Sequence, residues 1–162
     1  MRVHIATDHA GLDLSRYLVE SLTEAGYEMV DHGPTEYDPL DDYPSFCINA
    51  ALAVKADRDA GLDSLGIVLG GSGNGEQMAA NKVEGIRAAL AWNQDTAALA
   101  REHNNAQMVA VGGRQHDKEE ALEIIKTFLR TEFPGDERHV RRINQMGEYE
   151  RTGAIAGKDV NA

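Results

Sequence analysis

A chain of 162 residues, 42% hydrophobic and 27% charged, has enough apolar residues to build one core and too balanced a composition for a disordered or fibrous protein. Its net charge of -11 argues against a general nucleic-acid or anionic-membrane binder, so an anionic ligand needs a local basic cluster. No apolar stretch reaches membrane-spanning length, strand-like residues follow Met1 almost at once, and the single cysteine, Cys47, cannot form an internal disulfide, so a cytoplasmic protein with a packed thiol is expected.

Val3 to Thr7 reads as a first strand, and Gly11 to Ala25, with Leu12, Leu14, Leu18, Val19 and Leu22 apolar, as an amphipathic helix closed by Gly26. Tyr27 to Asp31 follows as a short second strand. From Gly33 to Pro44 the chain is rich in Pro, Asp, Tyr and Gly, which predicts a surface loop. A second helix is expected from Ser45 to Lys55, then a polar connection from Asp57 to Asp63 and a third strand from Leu65 to Leu69. That strand ends in Gly70-Gly71-Ser72-Gly73-Asn74-Gly75-Glu76, which leads into the helix formers of Gln77 to Lys82. Arg87 to Trp92 predicts a fourth strand, Thr96 to Glu102 a short helix, and Gln107 to Val111 a fifth strand ended by Gly112-Gly113. Asp117 to Leu129 has an acidic first turn and an apolar side, the marks of a helix. A last helix, about Asp136 to Tyr149, carries Arg138, His139, Arg141 and Arg142. The expected organisation is one domain over residues 1–151 and a flexible tail over 152–162.

Strands alternating with helices predict an α/β fold: one three-layer, Rossmann-like domain, with a five-stranded parallel sheet, helices on both faces and an additional C-terminal helix. Ligands in such folds sit at the carboxyl ends of the strands. Three unusual segments fall there: Thr7-Asp8-His9-Ala10-Gly11, the glycine-rich turn, and Gly112-Gly113-Arg114.

The glycine-rich turn can bring backbone N–H groups close to an anion, because glycine lacks the Cβ that blocks approach and a helix start leaves donors unpaired. It lacks the Gly-Lys-Ser/Thr ending of a P-loop and the spacing of a dinucleotide fingerprint, so nucleotide binding is disfavoured. Glu76 stands in the first helical turn beside those donors, where it either complements the dipole or serves as a base next to an oxyanion site. The helix terminus is expected to lower its pKa. Asp8 can accept a hydroxyl proton and a protonated His9 can bind phosphate, the plainer alternative being an Asx turn with a surface histidine. His103-Asn104-Asn105 closes a helix before the fifth strand. Arg138 and Arg142, four residues apart, share a helical face that can clamp a phosphate or simply be solvated. His4, His32 and His116 are assigned no role, and no ligand spacing for a metal is present.

Taken together, Asp8-His9-Ala10-Gly11, Gly70-Gly71-Ser72-Gly73-Asn74-Gly75-Glu76, Arg101-Glu102-His103-Asn104-Asn105-Ala106 and Gly112-Gly113-Arg114 resemble the RpiB/LacAB sugar-phosphate isomerase family, and within it the type B ribose-5-phosphate isomerases, over roughly residues 1 to 150. Many members carry a cysteine base in the strand before the glycine loop, where this chain has Val68 and Leu69. The resemblance is to the actinobacterial-type branch, in which the glutamate after Asn-Gly is the base; Cys47 is taken to lie far from that position and is not a substitute.

The resemblance implies a cofactor-free interconversion of D-ribose 5-phosphate and D-ribulose 5-phosphate, in the non-oxidative pentose phosphate route. It implies ring opening by Asp8 and His103, and proton transfer between C2 and C1 by Glu76 through an enediolate. The enediolate oxygen is met by N–H groups from Gly71, Gly73, Asn74 and Gly75, with the Ser72 hydroxyl. Phosphate binding falls to His9, Arg114, Arg138 and Arg142, sugar hydroxyls to Asn104, and Tyr43 lines the pocket. It further implies a homodimer, or a dimer of dimers, with shared sites to which the neighbouring subunit brings His103, Asn104 and Arg114. An isomerase of a six-carbon sugar phosphate, such as allose or galactose 6-phosphate, is a close alternative, and a non-catalytic phosphate- or nucleotide-binding protein a more distant one.

Overall fold

The computed structural model describes residues 1–160. Five strands, β1 (Arg2–Ala6), β2 (Glu28–Asp31), β3 (Leu65–Gly70), β4 (Ala88–Leu90) and β5 (Met108–Gly112), pair in parallel in the order β2-β1-β3-β5-β4. The connections carry α1 (Leu12–Glu24), α2 (Tyr43–Asp59), α3 (Asn74–Ala80), α4 (Gln94–Asn104) and α5 (Lys118–Arg130), and α6 (Glu137–Thr152) follows. This is the expected Rossmann-like α/β domain.

Side chains alternate across a strand, and here the alternation divides the core in two. Val3 and Ile5, Leu65, Ile67 and Leu69, and Val109 and Val111 face α1, α4 and α5. Ala6, Val68, Met108 and Ala110 face α2 and α3. Burying each Leu, Ile or Val stabilises the fold by roughly 1.5–3 kcal/mol. Gly66 is the point of closest approach on the second face, since a Cβ there would meet Met108 and Val54 within 2.9 Å.

Helix α2 departs from the expected span. It begins at Tyr43 and runs to Asp59, taking in residues that the sequence assigns to the loop before it and to the polar connection after it. Pro44 lies in the first turn, where a missing N–H leaves no bond unmade, so this proline starts the helix instead of excluding it. At the other end of the chain, Gly153 in the left-handed region (φ 72°) caps α6. Residues of the expected tail fold back there: Ile155 bridges to Lys158, and the Ala156 N–H donates to Glu148 Oε1 at 3.0 Å. The tail's last residues, 161 and 162, lie outside the described residues.

The strand order creates the site. After β1 the chain turns to the α1 face, and after its neighbour β3 it turns to the α3 face. A crevice therefore opens between these two strand ends, as it does wherever adjacent parallel strands lead to opposite faces.

Candidate active site

Thr7 ties the two strand ends together: its buried hydroxyl lies 3.0 Å from the carbonyls of both Leu69 and Asp8. Asp8 then caps a short 3-10 turn, His9–Gly11, by accepting from the Ala10 N–H at 2.9 Å. The Asx turn of the plainer reading is thus real. It uses one carboxylate oxygen and holds Asp8, 8% exposed, at the crevice.

Across the crevice, Gly73 in the left-handed region (φ 84°) starts α3. Here glycine is required twice over, because a Cβ would also come within 2.9 Å of Leu90. The Ser72 hydroxyl accepts from the Asn74 N–H and side-chain amide, both at 3.3 Å, which braces the loop. Gly75 admits Tyr43, whose ring and hydroxyl fill the place of a Cβ at 2.5 Å. The early start of α2 thus brings Tyr43 to the site.

Glu76 folds back onto the strand end, where its carboxylate occupies the space a Gly70 Cβ would take. It is 5% exposed. Burial raises its pKa, its own backbone N–H opposes that, and the Asp8 carboxylate adds to the rise. The expected lowering by the helix terminus is overturned, because loss of hydration outweighs the helix-start donors. The result is a carboxylate that binds a proton more readily than an exposed one.

The β3–β5 ladder extends past the strands, with the Gly113 N–H donating to Gly70 O at 2.7 Å and the Arg114 N–H to Gly71 O at 3.1 Å. It delivers the Arg114 guanidinium against Gly71, 3.4 Å from an ideal Cβ there. Arg114 therefore belongs to the cleft of its own chain, and the expectation that the neighbouring subunit supplies it is corrected. Asp8, His9, Tyr43, Gly71, Ser72, Gly75, Glu76 and Arg114 line one open cavity of about 480 Å³. Gln115 and Ala10 complete it, and neither carries a chemical signal in the sequence.

The remaining expected residues gather elsewhere. Helix α4 runs back from the end of β4 to the start of β5, so His103 and Asn104 lie at the amino edge of the sheet, at the opposite end of β5 from Arg114. There His103 stacks on His139, centroids 4.3 Å apart and planes at 17°, beside the exposed Arg138 and Arg142 of α6. His139 is 5% exposed, its Nε2 has no hydrogen-bond partner among the described residues, and its pKa is lowered by burial, then by His103 and Arg138. Two arginines grip this corner from behind. Arg87 donates to the carbonyls of Asn104 and Asn105, both at 2.9 Å, and buried Arg101 to the carbonyls of Thr131 and Ala106 and to Asn105 Oδ1. Asn105 adopts a left-handed conformation (φ 42°), so the helix stops with His103 and Asn104 presented at its tip.

Cys47 is correctly read as packed but wrongly as remote. Burial first, then the nearby Glu76 and Asp8 carboxylates, push its thiol up to about 12, which leaves it protonated and inert at neutral pH. The residue that sequence reasoning missed is Asp41, which meets His9 at 2.6 Å from the other side of the loop. Asp8, His9 and Asp41 each bring a possible ligand atom within 4.8 Å of the others. No spacing signal could have shown this grouping, because Asp41 lies 32 residues from His9.

Comparison with known proteins shows the family and the fold. The family model for Ribose/Galactose Isomerase matches residues 3–146. Ribose-5-phosphate isomerase B of Mycobacterium tuberculosis is 55% identical over 152 residues, 94% of this chain and 91% of that protein. A probable ribose-5-phosphate isomerase B of Mycoplasma pneumoniae is 41% identical over 92% of this chain and 95% of its own length. The crystal structure of ribose-5-phosphate isomerase B from Mycoplasma genitalium with bound ribulose-5-phosphate superposes with a TM-score of 0.88 at 41% identity, covering 93% of this chain and 97% of that one.

Proposed function

The chain belongs to the ribose/galactose isomerase family, and on that premise we propose that its cleft interconverts D-ribose 5-phosphate and D-ribulose 5-phosphate, an aldose-ketose isomerisation. The observation that carries the reading is Glu76, a buried carboxylate with a raised pKa, beside the N–H groups of a glycine loop. Asp8 and His103 open the furanose ring by proton transfer at its oxygens. Glu76 then removes the C2 proton and returns it to C1, while one proton passes from the C2 hydroxyl to the C1 oxygen, as in the glutamate branch of the family. Between the two steps the charge rests on an enediolate oxygen, which the loop from Gly71 to Gly75 and the Ser72 hydroxyl stabilise. Each such donor is worth on the order of a hundredfold in rate.

His9 and Arg114 bind the phosphate from one side, Arg138 and Arg142 from the other, and Asn104 takes sugar hydroxyls. Because His103, Asn104, Arg138 and Arg142 lie at the far edge of their own sheet, a second copy of the chain supplies them and the working unit is a homodimer in the cytoplasm. A two-fold axis then completes both sites at once.

Conversion of ribose 5-phosphate without added metal or nucleotide tests both parts. The wild type turns over, while Glu76→Gln and His103→Asn each lose at least about a hundredfold. Mixed one to one and allowed to exchange subunits, the two variants regain about a quarter of the wild-type sites. An inactive wild type sinks the isomerase reading, and a mixture no better than its components sinks the shared site.

A further inference from the structure

Asp41 belongs to none of the motifs, yet it reaches from the loop between β2 and α2 to the turn after β1. Its Oδ1 accepts the backbone N–H of His9 at 3.1 Å and the ring Nδ1 contact at 2.6 Å. Its side chain is 8% exposed, and Oδ2 is buried with no hydrogen-bond partner among the described residues. Tyr37 meets the His9 ring edge-on, centroids 5.9 Å apart and planes at 88°. One nitrogen, the backbone and the side of the imidazole are therefore held at once.

With Nδ1 committed to Asp41, only Nε2 is left for the cleft that His9 lines. A phosphate dianion offers acceptors alone, so Nε2 is useful there only as a donor. The ring orientation that serves has Nδ1 on Asp41 and Nε2 turned to the ligand.

We propose that Asp41 is a positioning residue for substrate binding: it fixes the His9 ring so that Nε2 faces the phosphate of the sugar. The inference rests on the reading of His9 as a phosphate ligand. It separates the binding of the anionic end from the chemistry at Glu76, so its loss falls on KM.

The test is a double-mutant cycle on ribose 5-phosphate with Asp41→Asn, which keeps the shape and both acceptor contacts but removes the charge, and His9→Asn. Asp41→Asn raises KM about tenfold while kcat changes less than threefold, Asp41→Glu recovers part of the loss, and adding Asp41→Asn to His9→Asn raises KM no further. If Asp41→Asn lowers kcat with KM unchanged, or adds its full effect on top of His9→Asn, Asp41 does not act through His9 and the proposal is overturned. If His9→Asn itself leaves KM unchanged, the phosphate reading of His9 fails and takes this inference with it.

Discussion

Two carboxylates near opposite ends of one sheet are both largely withdrawn from water, and their chemistry is opposite. Asp57, on α2 near the start of β1 and β3, takes the Ser64 hydroxyl at 2.6 Å, His4 Nε2 at 3.0 Å and the Arg2 guanidinium at 3.0 and 3.1 Å. His4 in turn meets His32 at 2.9 Å, which closes the network against β2. Ser64 foremost, then His4 and Arg2, hold the Asp57 carboxyl at about 2. Glu76, at the carboxyl end of β3, is buried against Gly70 with another carboxylate nearby, and its pKa is raised. Burial therefore does not separate structure from function here. The supply of donors does: a saturated carboxylate anchors two elements, and an undersupplied one is a base held at some cost in stability.

Exchanging Glu76 for Gln gives the sharpest contrast. Loss of the base lowers kcat by about a thousandfold. Because the folded carboxyl is raised above its unfolded value, its contribution to stability is complete at low pH and is lost as pH rises through the folded pKa. The neutral amide avoids that loss, so Glu76→Gln melts higher than wild type at pH 7, and the gain vanishes below about pH 4. A lower Tm at pH 7 would make Glu76 a structural contact like Asp57. In the wild type, the acid limb of kcat/KM falls above 4.5, the ordinary value for glutamate.

Gly70→Ala is expected to cost about a hundredfold in kcat with folding retained, since the new Cβ takes the place of the Glu76 carboxylate and moves it off its position. Near-normal turnover would show that the base does not need that position. Asp57→Asn has the smallest effect on activity, with kcat within about twofold of wild type, and lowers Tm by about 5 °C. Its depressed folded pKa means that its stability is present above the unfolded value near 4 and lost as pH falls toward about 2. Urea titrations of wild type over that range should show the loss, and Asp57→Asn should not. A variant equally acid-sensitive would place the loss in other carboxylates.

Glu76, Ser72 and Asp8 are legible in the sequence because each lies in a short contiguous segment whose residue types state their chemistry. His103 and Asn104 are legible as a motif, but nothing in the motif shows that Arg87 and Arg101 trap its backbone from two directions. Asp41 is invisible because it sits in a loop already rich in Asp, where one more acid carries no signal. The start of α2 escapes a reading by composition because Pro44 continues a loop-like stretch, although proline suits a first helical turn.

By itself the sequence determined the α/β alternation, the sheet with helices on both faces and the candidate base, because periodicity and local residue chemistry act over a few neighbouring residues. Only the tertiary structure decided which way the Glu76 pKa moves, which expected residues share a cleft within one chain, and that His9 has a carboxylate partner. Each of those depends on desolvation or on contacts between segments far apart in the chain, and these quantities arise only when the strands have paired and the loops have closed over their ends.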